Sequence, residues 1–173
     1  WLCGHERRNK FITNLAISRK TNTLVLFQYI EKHGDVLFKM IQDAAGTNRK
    51  VFYVHGAHET EERDAIRAIV EKEKDAIIVA SVGVFSTGIN IKNLHNVIFA
   101  SPSKAKIKTL QSIGRVLRLH KDKDIATLYD IADDLKYKNE ANYTMRHFVE
   151  RIRIYASEKF KFRVYNIEMK DTP

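Results

Sequence analysis

Short runs of consecutive apolar residues alternate along this chain with longer stretches whose apolar positions recur at helical spacing. Leu24-Val25-Leu26-Phe27 is the first run. Val51–Val54, Ala76–Ala80, Val97–Ala100 and Ile125–Tyr129 follow it. Continuous runs predict strands buried on both faces, because a strand with one wet face would alternate. Between them, Ile30–Ala45 spaces Val36, Leu37, Met40, Ile41 and Ala44 as a helix does and stops at Gly46. Thr60–Lys72 predicts a second helix with Ala65, Ile66, Ile69 and Val70 inward, and with Glu59, Glu61 and Glu62 at the positive end of its dipole. Further helices are predicted over about 104–119 and 141–160, with a last strand over Phe162–Ile167. Strands alternating with helices predict an α/β fold, a parallel sheet with helices on both faces. Ligands of such sheets bind beyond the carboxyl ends of the strands. The loops to read are therefore those after Phe27, Val54, Ala80, Ala100 and Tyr129.

At 173 residues the chain is long enough for one domain with a proper core. No apolar run has the length that crosses a bilayer, and the first ten residues lack the apolar stretch of a signal peptide. The single cysteine, Cys3, rules out an internal disulfide and a cysteine-built zinc site. A reducing, intracellular and cytoplasmic setting is expected, the host cytoplasm if a phage encodes the chain. It begins with Trp rather than Met, so a piece of something longer, or a processed or trimmed chain, is expected. The net charge of +9 is uneven. Residues 103–123 hold seven basic side chains against Asp122 alone, and residues 1–20 hold five against Glu6. Such patches favour a polyanion partner.

Within the predicted 104–119 helix, Gln111, Arg115 and Arg118 lie four and three residues apart, so all three share one side. Two guanidiniums held together repel unless an anion joins them, and their planar forks match phosphate oxygens. The plain alternative is a basic amphipathic helix with Ile113, Val116 and Leu117 in the core. The pattern Gln111-x-x-Gly114-Arg115-x-x-Arg118 closely resembles motif VI of superfamily 2 helicases, which carries their arginine finger.

Other loops resemble the same family in the same order. Ser81-Val82-Gly83 followed by Gly88-Ile89-Asn90 is similar to motif V. A hydroxyl and open backbone N–H groups at a strand end can hold a nucleic-acid phosphate, and Gly83 and Gly88 let backbone approach closely. By resemblance Asn90 bonds the nucleotide ribose, although Asn replaces the commoner Asp and loses its charge. His55-Gly56 at a strand end resembles motif IVa, which lies along the bound strand; the alternative is a His that fixes its own loop. Phe27–Lys32 resembles motif IV, and Tyr29 can stack on a base or simply pack. His55 and His58 lack a third ligand of clear spacing, so no metal is assigned to them. Asp130, Asp133 and Asp134 can attract Mg²⁺, but a solvated acid cluster at a helix start is the better reading.

The resemblance covers residues 20–135. It implies a RecA-like, P-loop-NTPase-like three-layer lobe. The surroundings of motif VI, including Leu119-His120-Lys121, look like the phage UvsW type of DNA repair and recombination helicase. The chain has no G-x-x-x-x-G-K-[ST] loop and no D-E-x-[HD] tetrad, the parts that hold phosphates and Mg²⁺. The family splits its site between two lobes, and this is expected to be the second. The resemblance then implies Arg118, with Arg115 second, as the catalytic finger. Gln111, Gly88, Asn90 and Gly114 are implied at the nucleotide, and Ser81, Val82, Gly83, His55 and Gly56 along the nucleic acid. ATP with Mg²⁺ held by a first lobe, DNA or an RNA–DNA hybrid, and that lobe itself are the implied partners. Residues 1–20 are expected to join the first lobe, 21–135 to form the second, and 136–173 to complete or extend it. This chain alone is expected to hydrolyse nothing. Rival readings are a stand-alone nucleic-acid-binding domain, a restriction-type or chromatin-type translocase lobe, and a nucleotide-cofactor transferase. The last needs a Gly-rich first turn, which Gln28-Tyr29-Ile30-Glu31 is not.

Overall fold

Five parallel strands form one sheet in the computed structural model, which describes residues 1–86, 91, 93–101, 126–135 and 142–169. They are β1 (Thr23–Phe27), β2 (Val51–Val54), β3 (Ile77–Ser81), β4 (Asn96–Phe99) and β5 (Thr127–Asp130), in the order β2-β3-β1-β4-β5. The fold is α/β, as the sequence pattern predicts, and RecA-like, as the resemblance implies. Helix α1 (Glu6–Ser18) precedes β1. A π-helical turn (Ile30–Gly34) leads into α2 (Asp35–Ala45), and α3 (Thr60–Val70) and the short α4 (Val82–Ser86) follow β2 and β3. The chain runs outward from β1 to β2 through α2 and back to β3 through α3. Right-handed crossovers in opposite directions put α2 and α3 on opposite faces.

Alternate residues of the strands fill two cores. Val25, Phe27, Ile77, Val79, Ile98 and Ala100 pack with Ile12 and Ala16 of α1 and Leu37 and Ile41 of α2. The other set, Leu24, Leu26, Ile78, Ala80, Val97 and Phe99, is equally buried. This is why the strands read as unbroken apolar runs. Helix α3 departs from its expected inward face: Val70 is buried, whereas Ala65 and Ile69 are exposed. The helix covers the sheet with its last turn only. Gly46 closes α2 at φ 61°, a left-handed conformation that suits Gly because it lacks Cβ.

Two side chains tie the amino ends of the strands together. Asn22 is fully buried; its amide donates to the carbonyls of Val70 (3.2 Å) and Glu73 (2.7 Å), and its oxygen accepts from the Ala76 N–H (2.8 Å). Arg49 donates to the carbonyls of Ala16, Ile17 and Thr21 and pairs with Asp75 at 2.6 Å, which fixes the end of α1 beside β2.

Residues 132–173 form a separate compact unit. Helix α5 (Tyr143–Ser157) buries Thr144, His147, Arg151 and Tyr155, one side at helical spacing. It ends in a Schellman turn. The Phe160 N–H reaches the Tyr155 carbonyl (2.9 Å), the Lys159 N–H reaches that of Ala156 (3.0 Å), and Lys159 takes φ 58°. Beyond it the predicted strand at Phe162–Ile167 is not formed: residues 161–169 carry neither strand nor helix. No described helix is long and apolar enough to cross a membrane.

Candidate nucleic-acid interface

Parallel strands in register bring their following loops side by side. Phe27 of β1 pairs with Ser81 of β3, and Val54 of β2 pairs with Ala80. The loops opened by Gln28, by His55 and by Val82 are therefore neighbours on one edge of the sheet. Beside β1 on its other flank, β4 ends at Phe99 and delivers Ser101. The strand order reverses between β1 and β4, which is where open α/β sheets bind ligands.

Ser81 is the last residue of β3 and is buried, with α4 starting directly after it. Gly83 is exposed, and nothing lies within 4 Å of where a Cβ would stand, so another molecule can reach its backbone. Gly56 is open in the same way. Gly56 lies within a tight histidine turn. The His55 N–H donates to His58 Nδ1 (3.1 Å), the Ala57 N–H donates to His55 Nδ1 (3.4 Å), and the two rings lie 4.1 Å apart. With Nδ1 of His55 accepting, its proton sits on Nε2. Burial and then the His58 ring lower the pKa of His55, against smaller opposing effects of Asp35 and Glu62. His55 thus offers an N–H donor near neutral pH rather than a full positive charge.

Tyr53 holds this turn from below. Its ring stacks on Phe38 (4.7 Å, 11°) and meets His55 edge-on (4.8 Å), and its hydroxyl donates to Asp35 Oδ1 (2.7 Å). Burial first, then that carboxylate, push its pKa well above the usual phenol range. Tyr29, by contrast, is 54% exposed just beyond β1.

Sequence reading missed a buried clamp behind this edge. Ser101 Oγ accepts the Gln28 N–H at 2.8 Å and lies 3.3 Å from His33 Nδ1. It ties the loop after β1 to the end of β4. Desolvation by burial, then the Arg8 guanidinium, push the His33 pKa down to about 4. A His within an apolar helical pattern was the available signal.

The structure thus gathers Ser81, Val82, Gly83, His55 and Gly56 on one edge of the sheet. Gln111, Gly114, Arg115, Arg118, Gly88 and Asn90 lie outside the described residues, as does the predicted 104–119 helix. Among the described residues no group of three His, Cys, Asp or Glu is placed to hold a metal.

A five-strand parallel sheet of this order with its loops so arranged defines a RecA-like lobe. The chain matches the helicase conserved C-terminal domain over residues 6–120 and belongs to that family. It is 40% identical over 181 residues to the ATP-dependent DNA helicase uvsW of Enterobacteria phage T4, an alignment covering 97% of this chain and 35% of the relative. The crystal structure of T4 UvsW superposes with a TM-score of 0.72 and 43% identity, over 91% of this chain and 34% of that one. The C-terminal domain of the DEAD-box protein Dbp5 shares the fold (TM-score 0.63, 17% identity, 90% of this chain and 81% of that one). The chain spans about a third of the length of T4 UvsW.

Proposed function

We propose that this chain is the second motor lobe of an ATP-dependent DNA helicase or translocase of superfamily 2. Its substrates are branched or hybrid duplexes in repair, recombination or replication. The observation that carries the reading is Gln111-x-x-Gly114-Arg115-x-x-Arg118 inside a region that matches the helicase C-terminal domain. Membership of that family supports it, and so does the similarity to a phage protein described as an ATP-dependent DNA helicase.

In this reading ATP and Mg²⁺ bind on a first lobe that carries the phosphate-binding loop. Arg118, with Arg115 beside it, neutralises charge on the transferring γ-phosphoryl group, and Gln111 and Gly114 shape that contact. Gly88 and Asn90 meet the nucleotide. One DNA strand runs over the shared loop edge. It is held by the Ser81 hydroxyl, the backbone at Val82, Gly83 and Gly56, and the His55 N–H. Such contacts go to phosphate and sugar, so they position the strand without reading its sequence. Closing and opening the cleft moves this grip along the strand. Residues 1–20 lead on from the first lobe, although α1 within them packs Ile12 and Ala16 into the core of this one, and 136–173 complete or extend the second.

The test uses this chain and a chimera in which it replaces the matching region of T4 UvsW. DNA-stimulated ATP hydrolysis by the chimera, with none by this chain alone, is the expected result. Salt-sensitive DNA binding by both without hydrolysis by either replaces the motor reading with a plain binding domain. Hydrolysis by this chain alone overturns the two-lobe division of labour.

A further inference from the structure

Ser101 stands where the strand order of the sheet reverses, just past the end of β4. In a parallel pair, alternate residues of one strand turn their amides toward the same neighbour. The Ala100 N–H donates to the Leu26 carbonyl at 3.0 Å, so the next β1 amide turned toward β4 is that of Gln28. It goes to a side chain instead of to backbone: Ser101 Oγ accepts it at 2.8 Å. The buried hydroxyl thus carries the β1–β4 ladder one step past the ends of the strands.

The hydroxyl has a second partner. Because Oγ accepts from Gln28, its own hydrogen is left for His33 Nδ1, 3.3 Å away. That nitrogen can accept, since burial and then the Arg8 guanidinium lower the His33 pKa to about 4 and keep the ring neutral. His33 is itself fixed in place. Its N–H and that of Gly34 both donate to the Tyr29 carbonyl, at 3.2 and 2.9 Å. Gly34 is seated so closely that an added Cβ would meet Phe27 at 2.5 Å and the Tyr53 hydroxyl at 2.6 Å. Two anchors on one rigid turn, Gln28 and His33, therefore hold Ser101.

What the clamp joins suggests its use. On one flank of β1, Phe27 pairs with Ser81, where the proposed nucleic-acid track begins. On the other flank, the chain leaves Ser101 and comes to Gln111 ten residues later and Arg118 seventeen later. Strand β1 lies between the strands that carry the track and the strand that leads to the arginines. His33 and Ser101 are both buried, so they act through what they hold. We propose that Ser101 is a positioning residue for ATP hydrolysis: clamped by Gln28 and His33, it sets where the segment bearing Arg115 and Arg118 begins relative to the nucleic-acid edge. This rests on the two-lobe motor reading above. A reacting group displaced by about 1 Å can cost on the order of 10²-fold in turnover. The loops after β2 and β3, which would grip DNA, are not held by this clamp.

Maximum DNA-stimulated ATP turnover of the T4 UvsW chimera tests it. Ser101→Thr and Ser101→Val are nearly equal in shape and differ in the hydroxyl. Both are measured where circular dichroism shows them folded, and Ser101→Ala repeats the loss of the oxygen in a smaller side chain. The variants without a hydroxyl should lose at least about tenfold in maximum turnover. The DNA concentration for half-maximal stimulation should stay within about twofold of the parent, because the phosphate contacts remain. Ser101→Thr should keep most of the parent's turnover. Val and Ala variants as fast as Thr overturn the proposal and leave the motor reading standing. Thr and Val variants equally slow reduce the site to packing and overturn it as well. Turnover that falls only in step with DNA affinity places the clamp on the grip, not on the finger, and also overturns it. A folded parent chimera without DNA-stimulated hydrolysis removes the motor reading, and this inference with it.

Discussion

His33 should make this lobe acid-sensitive by a calculable amount. It is fully buried, and its Nε2 has no hydrogen-bonding partner among the described residues. Protonation would bury an imidazolium out of water and, second, beside the Arg8 guanidinium, which is why its pKa falls from 6.5 to about 4. The unfolded chain takes up that proton near pH 6.5 and the folded chain near pH 4. Below pH 6.5 the unfolded state thus binds more protons, and stability falls with pH. The contribution is complete above pH 6.5 and is lost progressively as pH drops through about 4. Between pH 7 and pH 5 the difference amounts to about 2 kcal/mol, or roughly 4–8 °C in melting temperature for a domain of this size. His33→Asn isolates it, because the Asn Oδ1 stands near the position of Nδ1 and can accept from the Ser101 hydroxyl without titrating. Urea unfolding followed by circular dichroism at both pH values gives the comparison. Other groups titrate in both proteins and cancel. Wild type should lose about 2 kcal/mol more than His33→Asn over this interval. Equal losses would refute the claim that this imidazole is held neutral by burial.

Other substitutions probe the scaffold and the grip. A Cβ at Gly34 would lie 2.5 Å from Phe27 Cε2 and 2.6 Å from the Tyr53 hydroxyl, so Gly34→Ala should cost roughly 1–3 kcal/mol by overpacking. Thermal melting no lower than wild type would contradict that fit. Asn22→Ala removes three buried hydrogen bonds at roughly 1 kcal/mol each; an unfolding free energy within 1 kcal/mol of wild type would show they do not hold the strand ends. At the loop edge, Ser81→Ala should weaken single-stranded DNA binding several-fold with melting unchanged, as read by fluorescence anisotropy. Unaltered affinity would take Ser81 off the track.

The sheet was legible because its strands are buried on both faces and so appear as unbroken apolar runs. The end of α2 was legible through Gly46, whereas its start lies at Asp35 rather than Ile30, after a π-helical turn. Helix α1 was not: its 13 residues carry Arg7, Arg8, Asn9 and Lys10 near the start, and their polarity hides the short apolar side of Ile12 and Ala16 that packs on the sheet. Arg8 itself is buried, which its residue type does not announce. The positions of Ser81, Gly83 and Gly56 just at or beyond strand ends were legible, because the strands that precede them are unbroken apolar runs. The clamp of His33 on Ser101 was not, since it joins residues 68 positions apart and neither belongs to a motif. The strand predicted at Phe162–Ile167 is not formed, because β-branched and aromatic composition does not by itself supply a pairing edge.

The most direct test of the motor reading is the turnover of the T4 UvsW chimera with and without Arg118→Ala, at saturating DNA. An arginine finger contributes about 10³–10⁵ in turnover. The variant should therefore lose DNA-stimulated ATP hydrolysis by about that factor while its DNA affinity stays within about twofold of the parent, since phosphate contacts elsewhere on the edge remain. Undiminished hydrolysis in Arg118→Ala would contradict the assignment of this lobe as the one that supplies the finger.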